Sequence, residues 1–100
     1  VFDLHVHTAP DVVDRIGDDL DIVRGYERAG FSGCVLKAHY DNTAGRAHVA
    51  SRSTALRVYG GLALNSQVGG VNPNAVAAAL DMGARVIWMP TADSLTQYTA

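Results

Sequence analysis

The stretch "DLHVHTAPD", residues 3–11, sets His5 and His7 one residue apart between small apolar neighbours, with Asp3 ahead of them and a turn behind. Imidazole nitrogens bond divalent transition metals, zinc at about 2.0–2.1 Å, and catalytic zinc sites combine three protein ligands with one exchangeable water. A third histidine, His39, closes the next apolar run, "FSGCVLKAH". A metal held by His5, His7 and His39 lowers the pKa of its water to about 7, so the chemistry these residue types suggest is hydrolysis. Asp3 is expected behind the ligands, accepting a ring N–H and fixing ring orientation. Lys37 has apolar residues on both sides, and is expected to stabilise an oxyanion or to hold an acidic group of the substrate. Asp11 on the first loop and Asn65 at the end of "GGLALN" complete the set; each is read either as a turn residue or as a catalytic one.

Strand geometry is what would gather these groups. Side chains alternate along a strand, which puts Asp3, His5 and His7 on one face and Phe2, Leu4 and Val6 on the other. Lys37 and His39 share a parity opposite to Cys34, Leu36 and Ala38. Each apolar strand therefore delivers its polar residue at its carboxyl end, where parallel α/β folds place their chemistry. Neighbouring strands about 4.8 Å apart would bring His5, His7 and His39 to a common point.

The elements themselves follow one repeated unit. "VFDLHVHT" reads as a strand, and "DDLDIVRGYERAG" as a helix with Ile22, Val23, Tyr26 and Ala29 inward, Asp18 as cap and Gly30 as stop. "FSGCVLKAH" is the second strand and "TAGRAHVASRSTAL" the second helix, with Ala44, Ala47 and Ala50 or Ser51 inward. "RVYGGLALN" reads as one third strand. "NPNAVAAALDMG" is a helix capped by Asn72, started by Pro73 and stopped at Gly83, and "ARVIWMP" is the fourth strand. Near-continuous apolar strands separated by helices indicate a parallel sheet covered by helices. By the same parity Cys34 faces the helices as an inert thiol, and Trp88 packs beneath a helix. His48 belongs to a helix surface. "SQVGGVNP" lacks the lysine and serine of a phosphate loop and reads as a flexible connection.

Composition limits the partners. The chain has 100 residues, 48% hydrophobic and 18% charged, with net charge −2 and mixed signs. That describes one globular unit without the basic footprint of a nucleic-acid or anionic-membrane binder. A small-molecule substrate is the expected partner. Cys34 is the single cysteine, so no internal disulfide forms, and a cytoplasmic setting is expected. The chain starts inside a strand-like run and stops in "ADSLTQYTA"; residues 1–100 are accordingly read as the N-terminal half of one longer domain. Its open strand edges would need completion, so a homo-oligomer is expected.

"DLHVHTAPD" resembles the first metal-binding motif of the amidohydrolase superfamily and of the polymerase and histidinol phosphatase (PHP) family. "VLKAHYDNTAG" is similar to the second PHP motif. The resemblance covers most of residues 1–91. It implies a parallel TIM-type (β/α) barrel, of which this chain supplies the first four strand-helix units. It also implies one or two ions of zinc, manganese or iron at the carboxyl-terminal rim, with His5 and His7 as ligands and His39 as ligand or close neighbour. Ala9-Pro10-Asp11 stands where PHP proteins carry Ser-Asp-Gly, Ala38 where they carry an acid, and Asn65 where they carry a glutamate. The amidohydrolase-like reading is therefore the better fit: attack of activated water on an amide, cyclic amide or ester. PHP-type phosphoester cleavage, metal-dependent decarboxylation and a non-catalytic half-barrel or binding module are the alternatives.

Overall fold

The computed structural model of the protein describes residues 1–91. Its elements run β1 (Phe2–His7), α1 (Asp19–Arg28), β2 (Gly33–Lys37), α2 (Ala44–Ser51), β3 (Arg57–Tyr59), β4 (Gly61–Ala63), a short 3-10 turn (Ser66–Val68), α3 (Pro73–Asp81) and β5 (Val86–Trp88). This is a mixed α/β fold with parallel strands, in two small sheets ordered β1-β2-β3 and β4-β5.

Local chemistry explains the helices. Asp18 and Asp21 form a reciprocal capping box at the start of α1. Asn72 accepts from the backbone of Asn74 and Ala75, Pro73 opens α3, and Gly83 leaves it at φ +104°, a backbone that favours glycine. Ala44, Ala47 and Ala50 form the buried stripe of α2; their small side chains let the helix lie close to the sheet. One core joins Val23, Cys34, Leu36, Ala47, Ala50 and Val58, with Val6 and Tyr26 against it. A second joins Ala44, Leu62, Leu64, Ala79 and Ala84, with Ile87 against it.

The expected single third strand is two. β3 pairs with β2, the chain turns at Gly60, and β4 pairs with β5. The cause is Thr43, just ahead of α2. Its hydroxyl donates to Leu36 C=O at 2.6 Å and accepts from Gly61 N–H at 2.8 Å, while its own N–H reaches Gly61 C=O at 3.0 Å. The threonine thus stands between β2 and β4 where ladder bonds would run. A Cβ on Gly60 would lie 2.4 Å from the Thr43 and Ala44 backbone, so only glycine admits this approach.

A bulge in β1 decides which side chains reach the site. Asp3 pairs with Cys34 and Val6 with Leu36, so three steps along β1 match two along β2. Asp3 consequently falls on the helix-facing side with Val6, Cys34 and Leu36, whereas Phe2 pairs with Gly33 and His7 with Lys37 on the other side. The strict alternation expected for Asp3, His5 and His7 does not hold for Asp3.

Among the described residues, no helix is long and apolar enough to cross a membrane. The terminal segment "ADSLTQYTA", residues 92–100, lies outside the described residues.

Candidate metal and substrate site

His5 and His7 leave the carboxyl-terminal part of β1 with their Nε2 atoms 3.0 Å apart. An ion about 2.0–2.1 Å from each nitrogen would see this pair at roughly 90–100°, a bite that octahedral ions accept and that zinc reaches with slight opening. The same spacing serves a hydrogen bond if one ring carries Nε2–H and its neighbour does not. His39 lies beside them: its ring stacks on His7 with centroids 4.9 Å apart and planes 28° apart. Metal bonds lie in the ring plane, so stacked rings do not aim at one ion. Among the described residues, no group of three histidine, cysteine or acidic side chains is arranged to hold a metal. The pair is assembled; the third ligand is not.

The electrostatics favour neutral imidazoles. Burial, then the charges of Arg15 and neighbouring residues, pushes His7 down to about 4. Burial and Lys37 lower His5, which Asp3 partly offsets; burial and Lys37 also lower His39. Neutral rings are the ligand-competent form. His7 Nδ1 is buried without a hydrogen-bond partner among the described residues, so none of these residues fixes that ring through Nδ1.

Asp3 does not play the role expected of it. Its Oδ1 accepts from the backbone N–H of His5 at 2.9 Å, and its Oδ2 accepts from the Tyr26 hydroxyl on α1. The bulge turns the carboxylate toward the helix, so it shapes the strand beneath the rings instead of orienting a ring. Asn65, expected at the site as catalyst or turn cap, is fully buried. Its amide donates to His39 C=O at 2.7 Å and to Thr91 Oγ1 at 2.9 Å, and its oxygen accepts from Thr91 N–H at 2.9 Å. Thr91 Oγ1 lies 2.6 Å from His39 Nδ1. Asn65 therefore ties the ends of three strands together and supports His39 through Thr91.

Asp11 has a buried side chain, ion-paired to Arg15 at 2.7 Å and bonded by Val12 N–H at 2.6 Å. Burial alone would raise its pKa; the Arg15 hydrogen bond, the Val12 N–H and the Arg15 charge bring it below the ordinary carboxylate range. It is an occupied carboxylate close enough to act on His7 and His39 electrostatically. Lys37 sits beside His7 in the β1–β2 register, with Nζ 4.8 Å from the centre of the Trp88 ring. Trp88 also approaches His5, at 6.3 Å between ring centres.

A family model matches residues 1–100, and its description reads "Family of unknown function (DUF6282)". The chain belongs to DUF6282. No curated protein and no solved structure matches it. In this DUF6282 chain, side-chain geometry therefore carries the chemical argument, and it includes residues that the sequence did not assign to the site.

Trp88 is the first of them. Leu62 pairs with Ile87 on the helix side, so Ala63 and Trp88 fall on the opposite side, above the small residue Gly61. The expectation that Trp88 packs beneath a helix is thus corrected; the small residues around it were the readable signal. Arg46 is the second. From α2 it donates to both carboxylate oxygens of Asp19, to Thr8 Oγ1 at 2.9 Å and to Ala9 C=O at 3.0 Å. Thr8 Oγ1 in turn donates to Asp19. This clamp fixes the loop that leaves His7, and only the fold brings its members together. Cys34 is as expected: buried against the helices, with its thiol raised to about 11 by burial.

Beside β1 runs a groove of about 710 Å³ lined by Val6, His7, Arg15, Ile22, Tyr26 and Phe31. His7 borders this groove together with residues of α1, whereas Lys37 and Trp88 do not.

Proposed function

We propose that this chain supplies the N-terminal part of a metal-dependent hydrolase of amidohydrolase type, built on a TIM-type (β/α) barrel. The observation that carries the reading is the His5–His7 pair, with nitrogens 3.0 Å apart at the end of a parallel strand and pKa values lowered. His5 and His7 would be two ligands of a divalent ion, zinc in the first instance with manganese or iron as alternatives. His39 is a third ligand after a change of ring orientation, or a close neighbour. When bound, such an ion supplies water acidic enough to act as a nucleophile near neutral pH.

The chain's own residues would do the rest. Lys37 lies beside His7 and can stabilise negative charge developing on a carbonyl oxygen. Asp11 holds Arg15 near the rings, and Asn65 with Thr91 keeps His39 in place. Remaining ligands and a general base would come from outside the described residues. An amide, cyclic amide or ester of a small molecule is the proposed substrate, and a cytoplasmic setting agrees with Cys34, which is buried and free.

Metal analysis of the purified protein, with His5→Ala and His7→Ala, tests this. About one or two ions per chain are expected in the wild type, and loss of both metal and hydrolysis in either variant. Metal content unchanged by both substitutions would refute it. A non-catalytic, self-associating module is favoured by one observation: no three-member ligand set is assembled among the described residues. A stable metal-free oligomer would support that reading.

A further inference from the structure

Among the described residues, Lys37 is a cation with no ion-pair partner. It is 5% exposed, and its Nζ lies over the Trp88 ring, 4.8 Å from the ring centre. The ion pairs of the described residues join Arg15 to Asp11 and Arg46 to Asp19 and Asp41, and none involves Lys37. Asp3, the carboxylate that the sequence puts near the rings, is turned toward α1 by the bulge and held by Tyr26 and the His5 backbone. A buried ammonium is costly to keep from water unless an anion meets it. A cation over an aromatic face recovers only part of that cost.

Its placement is specific. Lys37 is the register partner of His7, so the two emerge side by side from adjacent strands. Trp88, which lies under Lys37, is also 6.3 Å from His5. Ammonium, indole and imidazole pair thus lie close together on the side of the sheet opposite the helix-packed core. A Cβ on Gly61 would come within 2.5 Å of the Trp88 ring, so the chain keeps that position bare for the indole.

We propose that Lys37 and Trp88 form an anion-anchoring subsite, and that the substrate of the His5–His7 centre is a small carboxylate with a flat or apolar body. The carboxylate meets Lys37 and the body lies against the indole, which leaves the bond to be cleaved beside the imidazoles. That the anion belongs to a substrate rests on the hydrolase reading; that Lys37 and Trp88 hold it does not.

Trp88 is the sole tryptophan, so its fluorescence reports on the subsite directly. Full-length protein is titrated with benzoate and with benzamide, a neutral analogue of similar shape, before and after addition of zinc, while zinc uptake is measured separately. Benzoate is expected to change Trp88 emission saturably and benzamide is not. Lys37→Met should weaken benzoate about tenfold or more, the size of a lost charge-assisted contact, and Lys37→Arg should retain the preference. Should Lys37→Met fail to fold, the benzoate–benzamide contrast in the wild type and in Lys37→Arg decides.

The proposal is overturned if the two probes act alike or if Lys37→Met binds benzoate as the wild type does. It is also overturned if benzoate acts only with zinc and does so in Lys37→Met as well, since the metal would then be the anchor. Benzoate selectivity in a protein that takes up no zinc leaves the subsite standing and removes the hydrolase reading. Zinc uptake without benzoate selectivity does the reverse.

Discussion

Asp3 grips the backbone of His5, not its ring: Oδ1 accepts from the His5 N–H at 2.9 Å while the other oxygen is bonded by Tyr26. The bond sits at the β1 bulge, where the pairing slips between Asp3 and Val6, so one carboxylate fixes both the strand's irregularity and its distance from α1. Asp3→Ala leaves the Tyr26 hydroxyl and the His5 N–H without this acceptor. A loss of about 1–3 kcal/mol is expected, the cost of partly buried groups left unsatisfied. Tyr26→Phe removes one bond and keeps the other, so it should cost less. Urea denaturation of both variants checks the order; a Tyr26→Phe loss equal to that of Asp3→Ala would place the whole effect at the helix.

The lowered pKa of His7 fixes a direction for pH. In the unfolded chain an ordinary histidine takes up its proton near 6.5. In the folded protein burial and the surrounding positive charges delay that to about 4. Between those values the unfolded chain holds a proton that the folded one lacks, so stability falls as pH drops from about 6.5 toward 4. Below about 4 both states are protonated and the contribution is gone. Denaturation midpoints across this range should decline in the wild type. In His7→Gln the decline should be shallower, because His5 and His39 are lowered too and keep part of it.

The parts legible in the sequence were those set by near neighbours. The caps at Asp18 and Asn72, the stop at Gly83, the alanine stripe of α2 and the inward Cys34 all depend on contacts within a turn or on simple alternation. Parallel strands with helices between them follow from the same patterns. What was not legible came from contacts distant in sequence. Gly60 splits the third strand because Thr43 reaches across to Gly61, and Asp3 leaves the site face because Tyr26 draws it to α1. His5 and His7 do meet, since the bulge lies at and before His5 and leaves the spacing of the two rings intact. Parity along β5 does not say which face the helices cover, so Trp88 reads as core; the room for it on the other face is made by Gly61 on another strand.

Gly60→Ala tests the split strand. Its new Cβ would collide with backbone, which cannot swing aside as a side chain does. A loss of about 1–3 kcal/mol is expected, the range for overpacking a tight site. Thr43→Val removes the hydroxyl that joins Leu36 to Gly61 and should destabilise as well. The two losses should not add, because both substitutions disturb one contact. A double variant whose loss equals the sum would contradict that account.

The Arg46 clamp predicts a difference between arginine and lysine. Arg46 engages both oxygens of Asp19 and the carbonyl of Ala9, a fork that a lysine cannot present. Arg46→Ala should cost about 1.5–3 kcal/mol, as for hydrogen bonds to charged groups, and Arg46→Lys should recover only part of it. Hydrogen exchange should quicken first in the loop that follows His7, since Thr8 and Ala9 lose their tie to α2. Unchanged exchange there would confine the clamp's effect to the α1–α2 contact.

Zinc separates two meanings of the 3.0 Å contact between His5 and His7. If the rings merely hydrogen-bond each other, added zinc leaves the folded state no more stable, and His5→Ala costs little because His5 is exposed. If they are ligands, zinc binds the folded chain in preference to the unfolded one. At a hundredfold excess over its dissociation constant it then adds about 2.7 kcal/mol of stability. That gain should vanish in His5→Ala and in His7→Ala and should be reversed by a chelator. His39 should behave differently: its ring is stacked on His7 and its Nδ1 is taken up by Thr91, so His39→Ala should weaken the zinc effect less than either member of the pair. Equal loss at all three positions would mean that His39 turns to join the ion. A zinc gain that survives at position 5 or 7 would leave the pair as a hydrogen bond.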